Sequence, residues 1–399
     1  MSSSSSVWSE VIPDDLLVHI FLCLPLQDRI QSSYVCKRWY DCFQSVYLWQ
    51  HFNFNFFTQT DRKLIRCSNQ LCERLQSVCI TLNPGEEYNR QNAVDLIMKL
   101  ASTEKRRLKA ITIIFRGDNP LFYAGKEFCM ALSQLFQPMN NGLLPVEQLK
   151  HVDFSGLTVA YDDSVMDVLA KNHPNIEFLN LQNRNLLTLV SPTCMCGLVI
   201  KCRKLKDLRI FYGSLSEAIL DALGEDDRTP LEFLSLSCRR TEKYGTEIPS
   251  ESWKKVTKQL PKLRIGLVFD ATVPVHKMWE IMKTELPLSF VRFDTFTDLI
   301  QEINFVAENY HRYLEKISIN TTSSSILDKA LIKLAACCER LTVLYVFCVV
   351  SQETIDQILT VCPSLRKSGN FLLKAVKETH PWGDPREIER LFVYHRLKS

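Results

Sequence analysis

The most reactive side chains of this sequence are its fifteen cysteines, and two tight pairs among them could do chemistry. Cys194 and Cys196 are separated by one residue, and Cys337 and Cys338 are adjacent. Thiolates this close together can bind zinc, or one of them can act as a nucleophile. A zinc site needs a second pair of ligands at a suitable spacing, and neither pair has one. We therefore expect no metal site and no cofactor.

A nucleophilic cysteine also needs a lowered thiol pKa, which a nearby base or cation supplies. The nearest preceding histidine, His173, lies in a His-Pro-Asn-Ile stretch that begins a repeat. No Ser-His-Asp order, phosphate-binding loop or paired-acid motif stands out either. The sequence thus predicts no catalytic residue, and a nucleophilic cysteine is left as the enzymatic alternative.

Composition and charge narrow the class of protein. Apolar residues make up 46% of the 399 residues and charged residues 23%, which is typical of a globular protein with two or three domains. The net charge of +3 is too weak to indicate nucleic acid as the main partner. No apolar run approaches the roughly 18 residues of a membrane-spanning helix, so we expect no membrane partner. An odd number of cysteines without a secretory signal favours reduced thiols in the cytoplasm, the nucleus or both.

The elements that could carry a function begin with a short helical module. Pro13 suits the first turn of a helix, and Asp14 and Asp15 suit its positive end. Pro25 should end that helix, and a second amphipathic segment is predicted from about Gln27 to Phe43. The apolar residues of the first helix recur at three- and four-residue steps, at Leu16, Leu17, Ile20, Phe21 and Leu24.

This module is too small to bury its own apolar surface. About 40 residues enclose a limited core, so something else must cover the remainder. An apolar groove on a partner protein is one solution, since amphipathic helices commonly dock in this way. A plain helical hairpin packed on its own protein is the other.

The order and spacing of these residues resemble an F-box, here residues 9–56. An F-box implies binding to a Skp1-type adaptor, and through it to a cullin and a RING subunit. The positions that carry the resemblance, and that it implies to be adaptor-binding, are Pro13, Leu16, Leu17, Ile20, Phe21, Leu24, Pro25, Arg29, Val35, Cys36, Trp39, Leu48 and Trp49.

After the F-box one pattern recurs, Leu-x-x-Leu-x-Leu with Ile, Val or Phe as substitutes. Ten copies follow from Leu75 to Leu341, one of them degraded at Leu263, and Leu365 is a candidate for an eleventh. From Leu149 onward the copies start 24 to 32 residues apart, which is the period of leucine-rich repeats. The segments between them are amphipathic at helical spacing. Each repeat should therefore supply one strand and one returning helix.

Four copies begin Cys-x-x-Leu, and a buried free cysteine behaves as a small hydrophobic residue. These cysteines should fill the tight corner between helix and strand, at Cys72, Cys202, Cys338 and Cys362. The predicted fold is α/β, an all-helical F-box followed by a leucine-rich-repeat solenoid with parallel strands on its concave side and helices on its convex side. Its predicted segments are 1–8, a disordered serine-rich tip; 9–56, the F-box; 57–370, the repeats; and 371–399, a tail.

An F-box followed by such repeats resembles the F-box/LRR family. Three stretches, Pro120–Gly125, Phe347–Ser351 and His380–Trp382, are similar to one particular member of it. The family implies a non-catalytic substrate receptor of an SCF-type ubiquitin ligase, which presents a protein target for ubiquitination and proteasomal degradation. A repeat scaffold that binds a partner without ligase assembly is the alternative.

The third, fifth and seventh residues of each copy should point to the concave face. Aromatic residues on a face open to water are typical of an interface core, so we predict a substrate patch there. Its residues are Phe211, Phe233, Phe269, Arg292, Tyr345 and Phe347. Alternatively, a long insertion or the tail, for example His380–Trp382, covers these positions.

Basic clusters occur near repeat boundaries, at Lys105–Arg107, Lys201–Lys206 and Arg239–Arg240. They could bind an acidic or phosphorylated segment of a target. Ordinary solvated turns explain them as well.

Overall fold

The structure, a computed structural model, describes residues 12–67, 72–118, 123, 125–138, 148–185, 190–239 and 247–375. It divides into two compact units, residues 1–205 and residues 206–399. In the first unit a helical module precedes a sheet, and in both units parallel strands alternate with helices. No helix in the described ranges is both long and apolar enough to cross a lipid bilayer.

The helical module has four helices, α1 (Asp14–Cys23), α2 (Leu26–Ser32), α3 (Lys37–Phe43) and α4 (Val46–Trp49). The predicted single segment from Gln27 to Phe43 is therefore wrong, because the chain turns between α2 and α3. Ser32 and Ser33 donate their hydroxyls to the carbonyls of Asp28 and Ile30, at 2.8 and 2.6 Å. Such side-chain bonds compete with helix propagation.

The sheet of the first unit has five parallel strands in chain order. They are β1 (His51–Phe56), β2 (Ser77–Leu82), β3 (Ala110–Phe115), β4 (His151–Gly156) and β5 (Phe178–Asn180). Its helices are α5 (Arg62–Cys67), α6 (Glu87–Ala101), α7 (Lys126–Phe136), α8 (Asp163–Asn172) and α9 (Pro192–Lys201). Strand β1 lies within the predicted F-box segment 9–56, yet it pairs with β2 along all six residues.

The second unit repeats this arrangement with seven parallel strands in chain order. They are β6 (Asp207–Phe211), β7 (Phe233–Cys238), β8 (Arg264–Phe269), β9 (Leu288–Phe293), β10 (Lys316–Ile319), β11 (Val343–Val349) and β12 (Asn370–Lys374). Its helices are α10 (Glu217–Leu223), α11 (Ser250–Gln259), α12 (Val275–Ile281), α13 (Ile300–Asn309), α14 (Ser325–Cys337), α15 (Gln352–Val361) and α16 (Pro363–Ser368).

The strands bury one face against the helices. Val152 and Phe154 of β4 are fully buried, and the Phe154 ring lies 6.3 Å from that of Phe136 in α7. The alternate residues of β4, His151 and Asp153, are only partly buried and point the other way. We call this second face the outward face of each sheet. Short parallel strands alternating with helices confirm the predicted repeat fold.

The cysteines of the Cys-x-x-Leu copies are buried, as the sequence predicts, at Cys72, Cys202, Cys338 and Cys362. Three of the four follow the last residue of a helix, α9, α14 or α15. His173 holds the same place after α8, where it is buried as well. Histidine therefore substitutes here for the small packing residue.

The repeat at Leu263 has a different register from the one predicted. Ile265 and Leu267 pair with Leu234 and Leu236 of β7, which face the helices. Phe269 consequently points into the core, where its ring stacks on that of Phe293 at 5.5 Å and 10°. The assignment of Phe269 to the substrate patch is wrong, because a one-residue slip moves every side chain of a strand to the opposite face.

Two of the predicted segment boundaries lie outside or at the edge of the described residues. The serine-rich tip at 1–8 is outside them. Of the tail at 371–399 only residues up to 375 are described, and most of those belong to β12. Leu365, the predicted start of a last strand, lies in α16, and the strand follows five residues later.

Candidate functional site

The helical module has its own apolar core, distinct from the packing between sheet and helices. Phe21 of α1 meets the Trp39 ring edge-on at 5.5 Å, and Phe43 meets Trp49 edge-on at 5.0 Å. The Trp49 indole donates to the carbonyl of Phe43 at 2.7 Å. The buried members of this core are Leu17, Val18, Phe21, Cys42, Leu48 and Trp49.

A buried arginine holds the end of α1. Arg29 of α2 donates from Nε to the carbonyl of Phe21 at 3.0 Å, and from Nη2 to those of Leu22 and Leu24, each at 3.2 Å. Its Nη1 reaches the carbonyl of Leu48 at 3.4 Å. The last carbonyls of a helix have no partner within it and carry partial negative charge. Arg29 thus satisfies the end of α1 and fixes α2 and α4 against it.

Several large apolar side chains of the same module remain exposed. Leu16 and Ile20 lie one turn apart on α1 and are 56% and 46% exposed. Tyr34 and Val35, in the turn between α2 and α3, are 76% and 62% exposed. Burying a side chain of this kind fully is worth about 1.5–3 kcal/mol. An exposed apolar set of this size on so small a module is typical of an interaction site.

An ion pair joins the start of α1 to the start of α3, close in sequence to Leu16 and to Val35. Arg38, in the first turn of α3, contacts Asp14 at the start of α1 through Nε and Oδ1 at 2.7 Å. The same guanidinium donates to the carbonyl of Ile12. Asp14 is two residues from Leu16, and Arg38 is three residues from Val35. The ion pair is open to solvent, so its main effect is orientation rather than stability.

The predicted adaptor-binding residues therefore fall into two groups. Pro13, Leu16, Ile20, Pro25, Val35 and Cys36 are exposed, whereas Leu24 and Trp39 are partly buried. Leu17, Phe21, Arg29, Leu48 and Trp49 are buried. The side chains of this last group fill the module's core or cap α1, and their assignment to adaptor binding stays a prediction.

The sequence prediction also missed exposed side chains beside this set. Tyr34 and Tyr40 are exposed and frame the predicted Val35–Trp39 stretch, and Tyr47 of α4 is 72% exposed. Adjacent bulky residues such as Tyr34 and Val35 cannot both face one core from a helix. The adjacency of Tyr34 and Val35 in the sequence could therefore have predicted an exposed turn.

The outward face of the second unit carries a group of aromatic and basic residues. Phe233 of β7 and Phe290 of β9 lie on either side of Gly266 in β8. A methyl group added at Gly266 would lie 3.0 Å from the Phe233 ring and 3.2 Å from that of Phe290. The guanidinium of Arg209 lies 5.2 Å from the Phe233 ring centroid. A side chain at position 266 would push both rings back from β8, and both rings remain partly exposed.

Three other members of the predicted substrate patch are less accessible than expected. Phe211 is outward but covered by the guanidinium of Arg239, 4.0 Å from its ring centroid. Tyr345 and Phe347 of β11 are outward but buried in an apolar cluster with Val343. The predicted exposure of these three aromatic residues is wrong. Phe233 and Arg292 keep partial exposure, and Arg292 pairs with Asp294 at 2.8 Å.

Two residues of the basic clusters, Arg106 and Arg239, have structural roles. Arg106, in the Lys105–Arg107 cluster, is buried and donates to the carbonyl of Leu100 at the end of α6, at 3.4 Å. Arg239 stacks on Phe211, and Arg240 lies outside the described residues. Helix capping therefore accounts for the buried Arg106, and ring stacking for the partly buried Arg239.

One cysteine of each pair, Cys194 or Cys338, lacks the electrostatics of a nucleophile. Burial, with a contribution from Asp167 and Asp163, raises the pKa of Cys194 to about 12. Burial, with Cys337 and Cys362 nearby, also raises the pKa of Cys338 to about 12. Raised thiol pKa values disfavour the thiolate that attacks or binds metal. Among the described residues no three His, Cys, Asp or Glu side chains are grouped to hold a metal ion.

Comparison with known proteins agrees with this geometry. Residues 9–55 match the family model described as F-box-like. F-box/LRR-repeat protein 8 of Homo sapiens is 28% identical over 374 residues, which cover 94% of this chain and 97% of that protein. The Bos taurus protein of the same name shows the same identity and coverage. F-box/LRR-repeat protein 21 of Mus musculus is 25% identical over 366 residues, covering 88% of this chain and 80% of that protein.

The stretches Pro120–Gly125, Phe347–Ser351 and His380–Trp382 predicted a similarity to this particular family member, F-box/LRR-repeat protein 8, and the comparison confirms it. It spans the helical module and the repeats alike, so it is not confined to the F-box. The chain thus combines a segment that matches the F-box-like model with a repeat fold, and over nearly its whole length it is similar to F-box/LRR-repeat proteins.

Proposed function

We propose that this protein is the substrate-recognition subunit of an SCF-type E3 ubiquitin ligase. Its F-box binds a Skp1-type adaptor, which connects it to a cullin and a RING subunit. The repeats bind a protein target, which is ubiquitinated and degraded by the proteasome. The chain itself is non-catalytic and acts in the cytoplasm, the nucleus or both.

The proposal of adaptor binding rests on one observation. The helical module has a filled core, yet four of its apolar side chains remain exposed, Leu16, Ile20, Tyr34 and Val35. If docking removed most of the remaining exposure of these four side chains, each would contribute about 1 kcal/mol or more. An amphipathic helix laid into an apolar groove is a common mode of recognition. The raised pKa values of Cys194 and Cys338 support a non-catalytic chain.

The test is binding of the purified full-length chain to a purified Skp1-type adaptor, measured by calorimetry. The double variant Leu16→Ala, Ile20→Ala should weaken binding at least tenfold, because it removes apolar surface without touching the core. Met130→Ala is the control, since Met130 is 67% exposed and lies on a helix of the repeats. Circular dichroism of each variant verifies that the fold is retained.

The outcomes separate the two classes of function. Binding by the wild type and its loss in the double variant would support the receptor, and ubiquitin transfer by the assembled ligase would then be measured. A wild-type chain that does not bind the adaptor would contradict the proposal. It would leave a repeat scaffold that binds its partner without ligase assembly.

A further inference from the structure

The outward face of the sheet in the second unit is cationic. Outward positions alternate with core positions along each strand. Within β6 to β12 the acidic outward residue is Asp207, and the cationic ones are Arg209, Arg264, Arg292, Lys316 and Lys374. The outward positions of β1 to β5 in the first unit carry no lysine or arginine. The repeat fold itself therefore does not require cations there, and a face of one predominant sign attracts groups of the opposite sign.

Carboxylates of the same strands hold two of these arginines in place. Arg209 donates to Asp207 through Nε and Nη2, at 2.8 and 2.6 Å. Arg292 donates from Nε to Asp294 at 2.8 Å. The side chains of Arg209 and Arg292 are 18% and 24% exposed, so both guanidiniums reach the surface. Because their orientation is already set, less side-chain freedom is lost when a partner binds to them.

An apolar surface lies between the cations. It consists of the partly exposed rings of Phe233 and Phe290, which converge over β8, and we call these two rings the aromatic floor. In register, Arg264 lies beside Phe233 and Lys316 beside Phe290. Arg264 also contacts Glu315 at 3.4 Å. Aromatic residues and arginine are enriched in protein interfaces, so the floor suits an apolar side chain of a partner and the cations suit its acidic ones.

The cations are spread over the sheet and do not converge on one point. They lie on β6, β8, β9 and β10, at Arg209, Arg264, Arg292 and Lys316. Neighbouring strands are about 4.8 Å apart, so the distance from β6 to β10 is about 19 Å. An extended chain covers that distance in about six residues. Several carboxylates along a peptide therefore match this spread better than one phosphate group, which needs its donors around a single point.

We propose that the outward face of β6 to β10 binds an extended acidic segment of the target protein. An apolar side chain of that segment lies on the aromatic floor, and its aspartate or glutamate side chains contact the surrounding cations. The site excludes β11, where Tyr345 and Phe347 are buried. The inference rests on the proposed function, because it names the kind of target that the repeats present for ubiquitination.

A peptide of defined charge tests this proposal. The probe is fluorescein-labelled Glu-Glu-Phe-Glu-Glu-Phe-Glu-Glu, and its binding to the full-length chain is measured by fluorescence anisotropy. It should bind at least about tenfold more tightly than the matched peptide with glutamine at every glutamate. Its affinity should also fall as salt is raised, because salt screens exposed charges. Equal affinity for the two peptides would overturn the proposal. So would tighter binding of a glutamine peptide that carries a single phosphotyrosine.

Variants of the chain locate the binding. Lys316→Glu should weaken binding of the acidic peptide about tenfold, because it reverses a charge beside the floor. Lys258→Glu is the matched control, since Lys258 is exposed on α11 and the net charge changes equally. The double variant Phe233→Ala, Phe290→Ala should weaken binding through the floor alone. Circular dichroism verifies the fold of each variant. Unchanged binding in folded Lys316→Glu, or an equal loss in Lys258→Glu, would contradict the proposal.

Adaptor binding measured on the same samples separates this inference from the proposed function. A chain that binds the adaptor but not the acidic peptide would overturn the inference alone. A chain that binds the acidic peptide but not the adaptor would overturn the receptor role and support the acidic site.

Discussion

The guanidinium of Arg29 lies over the Trp49 ring, 5.3 Å from its centroid, and this contact joins the second and fourth helices of the F-box-like domain. The same guanidinium binds the carbonyls of Phe21, Leu22 and Leu24 at the end of the first helix. One side chain therefore holds three helices in the arrangement that presents Leu16 and Ile20. It thereby positions the surface that we propose to bind the adaptor.

Replacing Arg29 by lysine should destabilise the domain. The ammonium group keeps the charge, but it cannot reproduce the planar set of donors that reaches four carbonyls and a ring. We expect a loss of about 2 kcal/mol in the free energy of unfolding, which is the usual worth of hydrogen bonds from a charged group. Limited proteolysis of the first 56 residues checks this. In Leu16→Ala, a surface change, the protease resistance should stay at the wild-type level.

Phe269 and Phe233 test the register of the repeat sheet in the second unit. Phe269→Ala should cost about 3–5 kcal/mol, because the ring is fully buried against Phe293 and a cavity would remain. Phe233→Ala should cost about 1 kcal/mol, because its ring is partly exposed on the outward face. Urea unfolding of both variants gives the comparison. Equal losses would contradict the observed register.

Periodicity predicted the repeats well wherever the apolar pattern was regular. It failed at Leu263, where the repeat motif places Gly266 and Val268 in the core, whereas the alternation of Ile265, Leu267 and Phe269 favours the opposite register. Packing of Phe269 on Phe293 decides between them, and that contact is not visible in one sequence. Strand β1 was missed for a different reason. Its His-Phe-Asn-Phe-Asn-Phe alternation, residues 51–56, lacks the leucines of the repeat motif.

Resemblance located the F-box but could not separate its core from its surface. Leu16 and Leu17 are neighbours of the same type, yet one is exposed and the other buried. The helix orientation decides this, and it depends on contacts such as that between Phe21 and Trp39. Similarly, nothing in the sequence indicated that the side chains of Arg29 and Arg106 cap helix ends.

His173 should make the stability of the first unit depend on pH. Burial, with the nearby charge of Arg106, lowers the pKa of His173 from 6.5 to about 4. The unfolded chain binds a proton below pH 6.5, whereas the folded chain does so only near pH 4. Stability is therefore full above pH 6.5 and falls between pH 6.5 and 4, by up to about 3 kcal/mol.

The variant His173→Asn isolates this effect. Its side-chain oxygen can replace Nδ1, which accepts from the backbone N–H of Leu149 at 3.1 Å, but it does not titrate. Urea unfolding at pH 7.5, 6 and 5 should show a smaller loss of stability on acidification than in the wild type. Parallel pH profiles for the two proteins would show that His173 is not responsible.

Cys337 and Cys338 form a matched pair at the end of one helix, the first exposed and the second fully buried. Cys338→Ser should cost about 1–3 kcal/mol, because it buries a hydroxyl where a thiol now packs. Cys337→Ser should change the free energy of unfolding by less than about 0.5 kcal/mol. Burial raises the pKa of the Cys338 thiol to about 12, so Cys338→Ser should affect ubiquitin transfer only through folding. The combined replacement of Cys194, Cys196, Cys337 and Cys338 by serine extends the test to both pairs. A folded, adaptor-binding chain that lost ligase activity in this variant would show that the protein acts by a cysteine nucleophile after all.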